Sequence, residues 1–489
     1  MVRAGTLRNH WALILLLVFY VVLYVSALDR YPLIGVDEPW YADIPRTLAR
    51  EGRLAKPTFE GFLGMENSAV SEPPVYVILL AAVFKLLGFG FVQARLLSVL
   101  CGLVVVVLLY AIVCKVFSQR VALWSAIALV VNPVFFHFMR NARQEPLVAV
   151  WFMCSLFWIV RRHLFLAGLF AGLAPLTHQT GSVSSAVVGF VVLWLAWKRK
   201  ASWWMVALFG VGAAIPVLGG VVFVLSNYDA FFAQFGAFGA GKFSTLHWFW
   251  WHLLDFPQRV LDQGTSFMIG VLPGMVAVGL LCFFGVGRAR AVGFMGVAWL
   301  ILFGAFFPSR NQGYFLAVLP LLSAAVVLFL WHLRRKSVLL AGAVVLLLLF
   351  QPAVIAYKLY QYNDADYWSF CSKLRAVIPP GKFVVGYSPF LYCMDSYADK
   401  FVVKEAFEYL DDVLVRPGGS KYVFLTAVKN AMPDVIILDS ETVKLVYEEE
   451  LDALRKTCEY SVIEDTFYLS SPYGVTNNQT LVFRCSFNG

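Results

Sequence analysis

The stretch P-V-Y-V-I-L-L-A-A-V-F-K-L-L, residues Pro74–Leu87, decides how this chain threads a membrane. It is apolar but only 14 residues long, whereas a crossing helix needs roughly 20 apolar residues. Other apolar runs read as spans: Trp11–Leu28, Leu96–Val113, Val121–Phe138, Pro146–Val160, Leu164–Leu176, Ser182–Trp197, Trp203–Leu225, Phe267–Val286, Val292–Phe307, Gly313–Leu333 and Val338–Tyr357. The fourth, fifth and sixth of these are marginal in length. Basic residues cluster at Arg3/Arg8, Lys115/Arg120, Arg161/Arg162, Lys198–Lys200, Arg288/Arg290 and Arg334–Lys336. Lys and Arg collect on the cytoplasmic side of a membrane protein. With every basic turn placed there, alternate connections fall outside, provided that Pro74–Leu87 lies at the interface and does not cross.

Composition agrees with a membrane chain. Of 489 residues, 60% are hydrophobic and 14% charged, and the mean hydropathy is +0.73. Soluble domains carry about 25% charged residues. The net charge of +9 follows from basic cytoplasmic loops and calls for no nucleic-acid partner. There is no zinc-type cysteine spacing, P-loop or dinucleotide glycine fingerprint. The first run is too long for a removable signal peptide and reads as a retained anchor. The expected fold class is therefore a polytopic α-helical membrane protein of about 11 to 13 transmembrane helices. Residues 1–357 form its membrane part, with an outer loop at 29–95. From 358 to 489 charge returns, and short β-like runs (Lys382–Tyr387, Tyr422–Thr426, Asp434–Leu438, Leu481–Arg484) alternate with helix-like ones (Lys404–Val415, Glu441–Lys456). That part reads as a small soluble α/β domain on the outer face. Its cysteines, Cys371, Cys393, Cys458 and Cys485, allow three full pairings. Asn478-Gln479-Thr480 fits a glycosylation sequon.

The polar residues with chemical potential all fall on the outer side. Asp37 and Glu38, in V-D-E-P-W-Y, follow the first span. One carboxylate suffices to cap a helix. Two adjacent ones suit proton transfer from an attacking hydroxyl or the holding of a cation. Arg140 to Pro146, R-N-A-R-Q-E-P, crowds Arg143 and Glu145 at a span entrance, where a carboxylate is costly unless paired or functional. Glu72 precedes Pro73-Pro74, a helix start, and Tyr76 follows. His178, His247, His252, Arg310 and Tyr314 complete the set. Each histidine reads as readily as a structural group, and L-H-W-F-W-W-H-L-L (246–254) reads as an interfacial aromatic belt. Arg310 suits a phosphate or merely snorkels. Acids that activate a hydroxyl, cations that receive a phosphate and an open lipid side together fit group transfer from a lipid-linked phosphate.

Several of these motifs resemble the GT-C class of integral-membrane glycosyltransferases, and within it the protein O-mannosyltransferases and lipid A aminoarabinose transferases. D-E-P-W-Y-A-D-I-P-R-T-L-A-R-E-G (37–52) resembles their first outer loop. E-P-P-V-Y (72–76), A-R-Q-E-P-L (142–147), L-T-H-Q-T-G (176–181) and S-R-N-Q-G-Y-F-L-A-V-L-P (309–320) resemble further elements of that class, in the same order. The resemblance implies Asp37 as catalytic base, with Glu38 beside it. It implies Arg46, Glu72, Tyr76, Arg143, Glu145, His178, His247, Arg310 and Tyr314 around the substrate and the carrier phosphate. Asp37 and Glu145 are candidate ligands for a divalent cation. Two departures stand out: Glu72 where the relatives carry a cation, and His178 where lysine is usual. The implied function is inverting transfer of a sugar from a polyprenyl-phosphate carrier to a hydroxyl of a lipid, glycan or protein. The implied location is a bacterial inner membrane, with a cytoplasmic N-terminus and a periplasmic C-terminal domain. The competing class is a transporter or flippase of lipid-linked sugars, which would place charge near the bilayer midplane in repeated halves.

Overall fold

The computed structural model describes residues 4–238, 249–262, 264–307, 311–333, 338–395, 397–403, 432–438, 448–464, 470–471, 474–475 and 479–485. Helix α1 (Ala4–Val25) is followed by α2 (Asp37–Glu51), α3 (Pro74–Leu87) and α4 (Phe91–Val116). Then come α5 (Gln119–Val130), α6 (Pro133–Phe138), α7 (Glu145–Val160), α8 (Leu164–Leu173), α9 (Gly181–Trp197) and α10 (Trp203–Ser226). The loop beyond holds α11 (Tyr228–Phe238) and α12 (Phe249–Leu261), before α13 (Thr265–Phe284), α14 (Arg288–Phe306), α15 (Leu319–Leu333) and α16 (Val338–Gln361). Four helices among the described residues, α4, α10, α13 and α14, are by themselves long and apolar enough to cross a membrane.

Two apolar runs are not single helices. Val121–Phe138 breaks at Asn132-Pro133. Proline cannot donate inside a helix but suits its first position. Asn132 caps α6 by accepting from Val134 N and Phe135 N, and its Nδ2 donates to Gly270 O at 2.6 Å, which ties the break to α13. Gly313–Leu333 opens with a 3₁₀ segment, Gln312–Ala317, before α15 begins.

Both ends of α3 lie at the end of the bundle that carries Asp37. At its start Val75 N donates to Leu176 O at 3.1 Å. Just past its other end Phe89 stacks on Tyr392, with centroids 5.2 Å apart. A helix of this length spans about 21 Å, short of a hydrocarbon core of about 30 Å.

After α16 the chain forms α17 (Tyr367–Val377), α18 (Leu391–Met394), α19 (Glu448–Thr457) and strands β1 (Phe383–Gly386), β2 (Lys400–Val403), β3 (Val435–Leu438), β4 (Cys458–Glu464), β5 (Ser470–Ser471), β6 (Gly474–Val475) and β7 (Gln479–Cys485). The main sheet has the order β2-β1-β3-β7-β4. Its β1 pairs are parallel, and its β7 pairs are antiparallel. Of the three cysteine pairings the structure adopts Cys371–Cys393 and Cys458–Cys485. The second joins the directly opposed ends of β4 and β7. The expected elements Tyr422–Thr426 and Lys404–Val415, and Asn478 of the sequon, lie outside the described residues.

The core does not break at 357. Tyr367, Phe370 and Tyr392 are buried in the cluster that holds the helices together. Ile44, Phe59, Phe62 and Val77 pack with Val385, Val402, Ile436 and Phe483 in a second cluster. Each such buried side chain contributes about 1.5–3 kcal/mol over its exposed state, so the loop carrying Asp37 is bound to the sheet as well as to the helices.

Candidate active site

The adjacent carboxylates at the start of α2 point to different surroundings, because successive helical residues are rotated by about 100°. Glu38 is buried. Arg95, itself fully buried in the first turn of α4, donates from Nε and Nη2 to its two oxygens at 2.8 and 2.6 Å. Ala142 N donates to Oε1 at 2.9 Å. Arg95 also reaches Leu28 O at 2.7 Å. Glu38 is thus the bolt between α2, α4 and the 139–145 turn. Arg95 escaped the sequence reading. The available signal was an arginine at the entrance of an apolar run, which is expensive there unless paired.

Asp37 is 48% exposed at its side chain and accepts from Arg143 Nη1. Arg143 turns its Nε and Nη2 to Glu145, at 3.2 and 2.7 Å. Burial works against the Arg143 charge, but Asp37 and Glu145 outweigh it and push the guanidinium well above its ordinary value. Nearby, Thr180 N donates to His178 Nδ1 at 3.3 Å. The same Nδ1 lies 2.8 Å from Thr180 Oγ1. The His178 and Tyr314 rings lie 5.1 Å apart. Arg140 plays a structural part instead. Its guanidinium donates to Leu23 O, Ala27 O and Tyr31 O, closing the end of α1.

Asp37 lines two cavities. One, of about 720 Å³, is also lined by His137, Asn141, Arg143, Gln312, Lys358 and Tyr362. The other, of about 470 Å³, is bordered by Trp40, Glu72, Gln144 and His178 on one side. Its other side is Gly220, Phe223 and Val224 of α10 with Phe231 and Phe235 of α11. Only 11% of the apolar window of α10 is buried, so this cavity adjoins the face that lipid would cover.

Not every expected residue is here. Arg46 faces Asp395 and Asp43, at 2.8 and 2.7 Å, and Arg50 holds the other Asp395 oxygen at 2.6 Å. Burial alone would raise the Asp395 carboxyl, yet the two arginines hold it below its ordinary value. This network pins α2 to the end of α18 and lines neither cavity. Tyr76 is buried behind the wall, its ring 6.3 Å from that of Tyr41. His247 and Arg310 lie outside the described residues. Lys56, which sequence reading passed over, is fully buried with its Nζ 3.4 Å from Glu72 Oε1.

Asp37 and Glu145 do not fit a divalent cation in this arrangement. The Arg143 guanidinium stands between them, placing positive charge where the ion would bind. Among the described residues no group of three or more His, Cys, Asp or Glu side chains converges.

One positioning contact is directly testable. Gln234 of α11, fully buried, accepts from Val70 N at 3.0 Å and donates to Ser68 O at 2.6 Å. It fastens α11, and with it Phe231 and Phe235, over the smaller cavity. Gln234→Ala strands both backbone groups at about 1–3 kcal/mol each. We expect accelerated amide exchange at 68–70 and in α11, measured by hydrogen–deuterium exchange, with α4 unchanged.

The whole chain superimposes on a known architecture. It matches the ArnT of Cupriavidus metallidurans bound to undecaprenyl phosphate with a TM-score of 0.64 at 16% identity, over 97% of this chain and 98% of that one. The fold is that of the GT-C glycosyltransferases. A second GT-C structure, the Archaeoglobus fulgidus oligosaccharyltransferase tethered to an acceptor peptide, matches at TM-score 0.52 and 13% identity, over 99% of this chain and 75% of that one. Residues 71–223 also match the sequence model of the dolichyl-phosphate-mannose-protein mannosyltransferase family. No curated protein matches by sequence.

Proposed function

We propose that this protein transfers a sugar from a polyprenyl-phosphate carrier to a hydroxyl of a lipid, glycan or protein acceptor. The observation that carries this reading is Asp37 at the junction of two cavities. One cavity is apolar on its α10 side and suits a prenyl chain. The other sets His137, Asn141, Gln312 and Lys358 beside Asp37 and suits an acceptor. Asp37 takes the acceptor proton, and the acceptor oxygen bonds to the sugar carbon. The bond from that carbon to the phosphate oxygen breaks with its electron pair leaving on the phosphate, and the configuration inverts. His178 donates to the departing phosphate, and Arg143 offsets its charge. Arg310 is a further candidate for that phosphate. No step is routed through a metal. The transporter reading gains nothing from this geometry or from the matched transferases.

In a bilayer the chain is read as about eleven spans, with the N-terminus cytoplasmic and the site outside. The two disulfides support an extracytoplasmic, oxidising location for residues 358–489, as on the periplasmic side of a bacterial inner membrane.

The test is binding of undecaprenyl phosphate to the protein in nanodiscs. Wild type is expected to bind it, and Val224→Trp, which fills the lipid-facing mouth, to weaken binding about tenfold or more. Absence of binding by the wild-type protein would overturn the carrier assignment. Unchanged binding by the variant would move the carrier to the other cavity.

A further inference from the structure

We propose that Trp40, Glu72 and Gln144 form the subsite for the donor sugar, and that it selects a neutral sugar with adjacent hydroxyls. The inference rests on the glycosyl-transfer reading above. All three residues share the smaller cavity with Asp37. Glu72 stands just before the Pro73-Pro74 entrance of α3, its side chain 9% exposed. Behind it Lys56 places Nζ 3.4 Å from Glu72 Oε1, 3.4 Å from the centre of the Trp40 ring and 4.5 Å from that of Phe59. A buried ammonium is costly alone. Here a carboxylate and two aromatic faces compensate it. The pair is neutral overall, and its ionised carboxylate can only accept hydrogen bonds.

Gln144 supplies the complementary group. It is 1% exposed, and its Nε2 has no acceptor among the described residues. A buried donor left without a partner calls for one. A sugar hydroxyl donates and accepts at once, so adjacent hydroxyls satisfy Glu72 and Gln144 together. The half-buried indole of Trp40 forms part of the cavity wall beside Glu72. A uronate would meet the Glu72 charge, and an ammonium on the sugar would compete with Lys56 for the same carboxylate.

The experiment measures affinity in nanodiscs for farnesyl phosphate, bare or bearing a neutral hexose (glucose, mannose or galactose), a hexosamine or a hexuronate. For wild type, a neutral hexosyl probe is expected to bind about tenfold tighter than bare farnesyl phosphate, with no such gain from the hexuronyl probe. Glu72→Gln is expected to lose that gain while keeping bare farnesyl phosphate within about twofold of wild type. Lys56→Met/Glu72→Gln, which removes both charges together and so guards against misfolding, is expected to do the same. A gain that survives in both variants overturns the subsite. So does equal loss of the bare probe in both variants, or tightest binding of the hexosamine or hexuronyl probe. Failure of wild type to bind bare farnesyl phosphate would instead overturn the carrier reading on which the subsite depends.

Discussion

Asp37→Asn is expected to lower sugar transfer by roughly 10²–10⁴-fold, the range for removal of a general base. The amide keeps the shape of the carboxylate and still offers an oxygen to Arg143, so the loop and both cavities should stand. It cannot take the acceptor proton. The fall should therefore appear in kcat, with undecaprenyl phosphate binding in nanodiscs close to that of wild type. The measurement is transfer of labelled sugar from a polyprenyl-phosphate donor pool to acceptor, alongside carrier binding for the same preparation. Near-normal transfer by this variant would remove Asp37 from the reaction. Loss of carrier binding in step with transfer would make it a structural residue.

The second large effect is on stability. Arg95→Met leaves the Glu38 carboxylate buried with only Ala142 N to bind it among the described residues, and Leu28 O loses the Arg95 donor. Breaking a buried ion pair from one side costs about 3–5 kcal/mol, a large part of the margin of an ordinary folded domain. The expected result is a marked fall in thermal midpoint in detergent and in yield from membranes. Glu38→Gln/Arg95→Met should recover much of the loss. It removes the stranded charge and keeps an acceptor for Ala142 N. A single variant as stable as wild type, or a double variant worse than the sum of its parts, would show that the pair does not hold α2 in place. The two experiments also separate the adjacent acids, Asp37 by its effect on rate and Glu38 by its effect on folding.

That separation shows where sequence reading stopped. The apolar runs, the shortness of Pro74–Leu87 and the crowding of acids and cations into alternate connections were legible, because hydrophobic length and charge placement are local properties of a chain. The roles within the site were not. Arg46 lies in the motif-bearing helix yet reaches the end of α18 through Asp395, a partner 349 residues away. Lys56 sits in a loop with no signature and becomes the partner of Glu72. Asn132-Pro133 broke a run that hydropathy alone reads as continuous. The cysteine count allowed three pairings, and only the opposition of β4 and β7 placed Cys458 against Cys485.

By itself the sequence determined a membrane-embedded helical chain, a likeness to the GT-C glycosyltransferases and the acidic pair from which chemistry would start. Only the tertiary structure separated that pair. A single residue's step along α2 sends Glu38 inward to Arg95 and leaves Asp37 between two cavities, and Arg143 joins Asp37 to Glu145. The physical reason is that a carboxylate's role depends on its partners and its access to solvent. Both are set by residues brought together from distant parts of the chain.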